Sequence, residues 1–291
     1  MNETDILVFG EVLFDRFEDQ TAVLGGAPFN VAWHLEGFGH SPRFISRIGN
    51  DALGHRVLEA MRVWGMRTNE LQTDPALPTG TVDVTLEHGE PSYEIVHPAA
   101  WDAIAAPDEV PASGLLYHGT LALRDARSRS ALARIRAGHS GGVFVDVNLR
   151  DPWWHADQVT ASLHHATWVK LNEAELEALR PSATPQDFLQ EFALQGLVVT
   201  HGARGAEILT VNGQYAQAQP RANVDVVDAV GAGDAFSAVI ITGLTRGWPL
   251  TLCAERAQSF ASAILGHRGA TVSKREFYEA VLSEWDETQG D

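Results

Sequence analysis

The sequence predicts an α/β fold: a three-layer α/β/α core with a mostly parallel sheet, and a small β lid. Three observations lead to the doubly wound core. Short apolar runs alternate with helical patterns along most of the chain, as expected when helices cover both faces of one sheet. Those runs are continuously apolar, which is how buried parallel strands read. Only the stretch 79–102 departs, alternating apolar and polar residues with period two.

Taken in order, strands are expected at Ile6–Phe9, Arg43–Ile48, Leu115–His118, Val143–Val147, Thr167–Lys170, Leu197–Thr200 and Glu207–Val211. Between them, helical patterns occupy Phe29–Glu36, Ala52–Trp64, Ser128–Arg136, Glu173–Leu179 and Pro185–Leu194, followed by Asp234–Leu244, Pro249–Leu265 and Lys274–Ser283. In TGTVDVTLEHGEPSYEIVHPAAWD (79–102), Val82, Val84 and Leu86 share one face and Thr81, Asp83 and Thr85 the other. A turn at Glu87–Glu90 leads to a second strand with Tyr93 and Ile95 on one face, which makes a hairpin. Another extended piece is expected around Asp15–Leu24. Ligands of open α/β sheets bind beyond the carboxyl ends of the strands, so segments at about 12–25 and 79–101 would form a β lid; a plain edge hairpin is the other reading. The 291 residues are expected to form one domain.

Composition narrows the function. A net charge of −17 argues against general nucleic-acid binding, which needs basic surface. Cys253 is the sole cysteine, so no intramolecular disulfide or cysteine-based zinc site is expected, and a reducing, cytoplasmic setting fits. No run of about 18 apolar residues suggests a membrane span, and MNETDILVFGEVLFD lacks the basic start of a signal peptide.

Four stretches could carry chemistry. In DVVDAVGAGDAFSAVI (225–240), Gly231, Ala232 and Gly233 leave backbone N–H groups open at a helix start, an anion site by dipole and donors. Asp234 beside that anion would be a base for an attacking hydroxyl, or else a helix cap. The stretch is neither GxxxxGK(S/T) nor GxGxxG. In LGGAPFNVAWHLEGFG (24–39), Gly25 and Gly26 permit close backbone approach, and Asn30 could orient a polyhydroxyl ligand or be structural. Asp15 would accept from sugar hydroxyls or lie in a solvated loop. In KLNEAE (170–175), Asn172 and Glu175 suit Mg2+ through water, and fit a capping box equally well. In DVNLRDPWW (146–154), Asn148 and Arg150 project near the carboxyl edge of a strand, Arg150 being suited to phosphate or carboxylate. The histidines show no metal-ligand spacing.

Together, in this order, these motifs resemble the ribokinase-like (PfkB) sugar kinase family over essentially the whole chain. GGAPFNVAWHLEGFG with ISRIGNDALGHRV matches its N-terminal signature, DAVGAGDAFSAV its C-terminal signature, NEAE its N-x-x-E, and VVTHGARG its nucleotide-site loop. GEVLFD, GTVDVTLEHGEPSYEI, PAAWD and DVNLRDPWW look most like bacterial fructokinases.

The resemblance implies ATP-dependent phosphorylation of a ketohexose, most simply D-fructose at its 6-hydroxyl. Asp234 would be the base and the amides of Gly231, Ala232 and Gly233 the anion hole. Asp15, Gly25, Gly26 and Asn30 would hold sugar, with Asn148 and Arg150 nearby. Asn172 and Glu175 would organise Mg2+ and phosphate, and Thr200, Gly202 and Gly205 would line the nucleotide site. A monovalent-cation (K+) site would draw on Asp228, the carbonyls of Val230, Ile264, His267 and Gly269, and Ser273. Two departures stand out: Ala229 replaces the usual threonine, and Ala27 stands where ribokinases often carry lysine, which favours a fructokinase-like site. A homodimer joined through the lid hairpins is also implied, since a hairpin with one apolar face needs cover. Alternatives are a 2-keto-3-deoxygluconate kinase, disfavoured because 79–102 lacks Arg and Lys, a purine nucleoside kinase, and a non-catalytic sugar-binding regulator.

Overall fold

Successive residues of β1 (Ile6–Phe9) point into different cores. Ile6 and Val8 belong to one hydrophobic cluster, Leu7 and Phe9 to another, and all four are essentially buried. A strand buried on both faces has no polar side to present, which is why it reads as an unbroken apolar run. The computed structural model describes residues 4–87, 90–219 and 226–287, with the side chains of 86, 87, 90 and 91 outside that description. His88 and Gly89 of the expected turn, the facing of Leu86, and Asp225 therefore lie outside the described residues.

The chain next forms β2 (Leu13–Phe17), β3 (Ala22–Gly25), α1 (Ala27–Gly37), β4 (Arg43–Gly49), α2 (Ala52–Trp64) and β5 (Leu71–Asp74). The hairpin β6 (Gly80–Glu87) and β7 (Glu90–Ile95) follows, then β8 (Leu115–Gly119), α3 (Ala126–Gly138), β9 (Gly142–Asp146), α4 (Ala156–Leu163) and β10 (Trp168–Asn172). The remainder is α5 (Glu173–Leu179), α6 (Pro185–Glu191), β11 (Gly196–Thr200), β12 (Ala206–Thr210), β13 (Tyr215–Ala218), α7 (Ala232–Arg246), α8 (Leu250–Leu265) and α9 (Arg275–Glu287). Among the described residues the main sheet has nine strands in the order β13-β12-β11-β10-β9-β8-β1-β4-β5. It is parallel from β5 to β11, whereas β12 and β13 run antiparallel at the edge.

One cluster packs residues of α1, α2, α7, α8 and α9 on one sheet face; the other packs residues of α3 to α6 on the opposite face. The core is thus a three-layer α/β/α arrangement. The sequence pattern had not anticipated β5, β13 or α4. β5 (LQTD) and β13 (YAQA) are short edge strands with too few apolar residues to show a period, and α4 spans barely two turns. α6 ends at Glu191, short of Leu194.

β1 lies between β8 and β4, and the chain fills the sheet outward from it in both directions. That reversal opens a crevice at the carboxyl ends of β1 and β8. Over it lies a second sheet in the order β3-β2-β6-β7, whose inner face carries Leu13, Val82 and Val84, with Ile95 packed against them. Val82 faces Ile95 and Val84 faces Tyr93 across β6 and β7. Among the described residues no helix is long and apolar enough to cross a membrane.

Candidate active site

A cavity of about 680 Å³ fills the crevice. Its walls come from the strand ends (Glu11, Asp146, Asn172, Thr200), from α1 and the loop before it (Gly26, Asn30), from the second sheet (Leu13, Asp15, Val82, Tyr93, Ile95), and from the start of α7 (Gly231, Gly233, Asp234). Asn148, Arg150 and Glu175 complete that wall.

The start of α7 removes one of the two readings of its aspartate. Gly231 is the N-cap, in the left-handed region at φ 84°, and no side chain caps the helix. Asp234 is therefore not a helix cap. Its Oδ2 instead accepts a 2.8 Å hydrogen bond from Nδ2 of Asn30, on α1. Burial pushes the Asp234 carboxyl up to about 7; the Asn30 bond opposes this, and the negative charge of Asp146 adds to it. The early helical amides have no intrahelical acceptors and carry the positive end of the dipole. Packing also demands glycine at the cap, since a Cβ on Gly231 would stand 2.3 Å from the Ala270 Cβ.

Beneath this turn lies a buried network. Asp146 accepts from Lys170 Nζ at 2.7 Å, from Ser237 Oγ at 2.6 Å and from the Tyr117 hydroxyl at 3.2 Å. Ser237 sits on α7 one turn beyond Asp234, so Asp146 ties the start of that helix to the strand ends. Burial alone would lower the Lys170 ammonium, yet the charge and hydrogen bond of Asp146 hold it above the usual range. A Cβ on Gly233 would lie 3.5 Å from Lys170 Nζ, so the ammonium reaches the same turn as the open amides.

Asn172 and Glu175 do form the reciprocal capping box: Asn172 Oδ1 accepts from the Glu175 N–H, and Glu175 Oε2 from the Asn172 N–H. The other carboxylate oxygen accepts from the Leu149 N–H at 3.1 Å. Burial raises the Glu175 carboxyl, against those backbone donors and Lys170. Both residues also line the cavity, so the cap holds them in place without removing them from the site. Each oxygen keeps a further lone pair, a donor set suited to a hydrated hard cation. Among the described residues no group of three or more His, Cys, Asp or Glu side chains could hold a metal ion.

Asp15 lies on β2 with its carboxyl raised to about 6, by burial and then by the charge of Asp228. Gly25 and Gly26 close the same region, and a Cβ on Gly26, at φ 108°, would approach the Glu11 carbonyl oxygen to 2.8 Å. The Asn148 backbone is held by Thr120, and the exposed Arg150 donates to the Leu149 carbonyl. Thr200 lines the cavity, whereas Gly202 and Gly205 lie beyond its lining. A smaller neighbouring cavity of about 160 Å³ is lined by Asp15, Asp228, Val230 and Gly269 among others, with Ile264, His267 and Ser273 outside that lining. Asp228 accepts from the N–H groups of Val230 and Gly269, both at 3.0 Å. The Ile264 carbonyl accepts from the His267 N–H at 2.9 Å, and Ser273 is exposed.

Sequence reasoning missed Glu11, Asp146 and Lys170. Their signal is a charge set inside or at the end of a continuous apolar strand, as in WVKLN and GVFVD. A charge buried there must be paired or serve a ligand.

A model of the pfkB family of carbohydrate kinases matches residues 3–276. The chain belongs to that family. It is a sugar kinase, and hence a phosphotransferase. Among relatives of this pfkB kinase, a fructokinase of Klebsiella pneumoniae is 33% identical over 276 residues, covering 86% of this chain and 87% of that protein. An aminoimidazole riboside kinase of Salmonella typhimurium is 31% identical over 272 residues, covering 86% and 84%. A fructokinase from Vibrio cholerae O395, solved in a fructose-, ADP- and calcium-bound form, superposes with a TM-score of 0.81 at 26% identity, covering 96% of this chain and 99% of that one.

Proposed function

We propose that this pfkB kinase transfers the γ-phosphoryl group of ATP to a hydroxyl of a ketohexose, D-fructose at its 6-hydroxyl, with Asp234 as base. One observation carries the reading: Asp234 stands in the first turn of α7 beside open amides, held by Asn30 rather than used as a cap. A carboxyl near the solution pH can take the proton of an incoming hydroxyl as that oxygen bonds to the γ-phosphorus. The bond to the bridging oxygen of ADP breaks, and the amides of Gly231, Ala232 and Gly233 receive the charge on the transferred group. Little covalent work falls to the protein; position and electrostatics supply most of the rate.

Asp15, Gly25, Gly26, Asn30, Asn148 and Arg150 form the acceptor end in this reading, and Thr200, Gly202 and Gly205 the nucleotide end. Mg2+ bound with the nucleotide neutralises phosphate charge, and Asn172 and Glu175 would hold it through water. K+ would sit beside Asp228; a double mutant of the Vibrio cholerae fructokinase has been solved with fructose, ADP and potassium ion bound. The segments 12–25 and 79–101 act as a lid over the acceptor. A neutral polyol suits the acceptor end, where Asp15, Asp234 and Glu11 converge and Lys170 is already engaged by Asp146. A sugar acid would set its carboxylate among those carboxyl groups, where Arg150, exposed and bonded to the Leu149 carbonyl, would have to meet it.

The riboside kinase relative favours one competitor, a nucleoside-like acceptor. An ADP-release assay over fructose, tagatose, ribose, 2-keto-3-deoxygluconate, adenosine and aminoimidazole riboside, compared by kcat/KM, separates them. Fructose should lead. A riboside or sugar acid in first place overturns the substrate, and no turnover with any acceptor overturns the kinase mechanism.

A further inference from the structure

Glu11 lies just past β1 in the wall of the large cavity. It is 1% exposed, and its Oε2 has no hydrogen-bond partner among the described residues. Two arginines, Arg124 and Arg150, act on its charge without donating to it. Arg124 gives its bonds to Asp102 and the Val96 carbonyl, and Arg150 turns to the Leu149 carbonyl. Asn30, 3% exposed, is in a similar position: its Nδ2 serves Asp234 while its Oδ1 is unpartnered. Two buried acceptor oxygens without donors thus belong to side chains that line the same cavity as Asp234.

A buried polar atom left unpaired is destabilising, and more so when charged. An arrangement of that cost persists where a ligand supplies the missing donor, and a polyhydroxyl acceptor supplies several. We propose that Glu11 is a substrate-contacting residue whose carboxyl binds a second hydroxyl of the acceptor, beside the hydroxyl served by Asp234, and so helps set which sugars are accepted. Burial raises the Glu11 carboxyl to about 7, with the charge of Asp234 adding to the rise against Arg150 and Arg124. Glu11 can then give or take a hydrogen bond near neutral pH, as a hydroxyl partner requires. Its backbone is fixed as well, since Gly26 packs against the Glu11 carbonyl too closely for any Cβ. The proposal rests on the sugar-kinase reading and adds the residue that reads a non-reacting hydroxyl.

The test compares wild type, Glu11→Gln and Glu11→Ala, each checked for folding by circular-dichroism melting. KM and kcat are measured for fructose, for each of its monodeoxy analogues, and for ATP. Loss of a hydrogen bond of this kind should raise the sugar KM about tenfold in Glu11→Ala, leaving the ATP KM unchanged. Glu11→Gln, which keeps a donor and an acceptor, should recover part of the loss. One deoxy analogue should be poor with wild type yet no poorer, relative to fructose, with Glu11→Ala. Folded variants whose sugar KM stays within about twofold of wild type overturn the proposal, as do analogue penalties that add fully to the mutation. If Glu11→Ala does not fold, the same comparison with Glu11→Gln decides. If wild type rejects fructose, the substrate reading has failed, and the measurement on the accepted acceptor and its deoxy analogues still decides the role of Glu11.

Discussion

Replacing Asp234 by Asn should damage turnover while making the protein more stable, and the gain should depend on pH. The folded carboxyl titrates near 7, against an ordinary 3.8. Below about pH 4 the folded and unfolded states are both protonated and the side chain adds no pH-dependent penalty. Between those values the unfolded chain releases its proton and the folded one retains it, so stability falls as pH rises. Above 7 the penalty is complete. At about 1.4 kcal/mol per pH unit, the shift corresponds to roughly 4 kcal/mol. Asp234 opens onto a wet cavity, so about half of that, roughly 2 kcal/mol, is the more realistic figure. Asn keeps the shape and can still accept from Asn30, but it carries no charge. The variant should melt about 4 °C or more above wild type at pH 8. The gap should shrink toward pH 5. Differential scanning calorimetry across that range measures it. A variant no more stable than wild type at pH 8, or a gap that does not change with pH, would refute a carboxylate destabilised by burial.

Other expectations concern the parts around it. Gly231→Ala places a Cβ against Ala270 at a positive φ and should cost about 1–3 kcal/mol, read by urea unfolding; kcat should fall more than the sugar KM rises. Lys170→Met strands Asp146 in the interior and should cost about 3–5 kcal/mol. Replacing K+ by a large organic cation should lower kcat if the loop around Asp228 seats a monovalent ion. Equal rates in both salts would remove that assignment.

The large parallel sheet was legible because its strands are buried on both faces, and the run from Ile6 to Phe9 advertises that directly. The edge strands β5 and β13 were not, being short and poor in apolar residues. At the site, the glycine-rich start of α7 and the Gly25–Gly26 loop were readable because their spacing is a backbone requirement. Asp234 was ambiguous in one dimension, since a cap and a base look alike; the fold removes the cap reading, with Asn30 bonded to its carboxyl across 204 residues. Asn172 and Glu175 offered two readings that prove compatible, a cap whose members also face the cavity. Glu11, Asp146 and Lys170 left only a faint signal, a charge in or just past an apolar strand. Nothing local explains a charge in a buried strand, and only the fold brings Lys170 to Asp146 and leaves Glu11 without a partner.

The central claim is that Asp234 takes the proton of a sugar hydroxyl as phosphate moves to it from ATP. The most direct measurement is ADP release with ATP and D-fructose, by wild type and Asp234→Asn side by side, with binding of both ligands followed by calorimetry. Wild type should release ADP only when sugar is present. The variant should bind both ligands and turn over about 100- to 10,000-fold more slowly. Near-wild-type turnover by the variant would contradict the account.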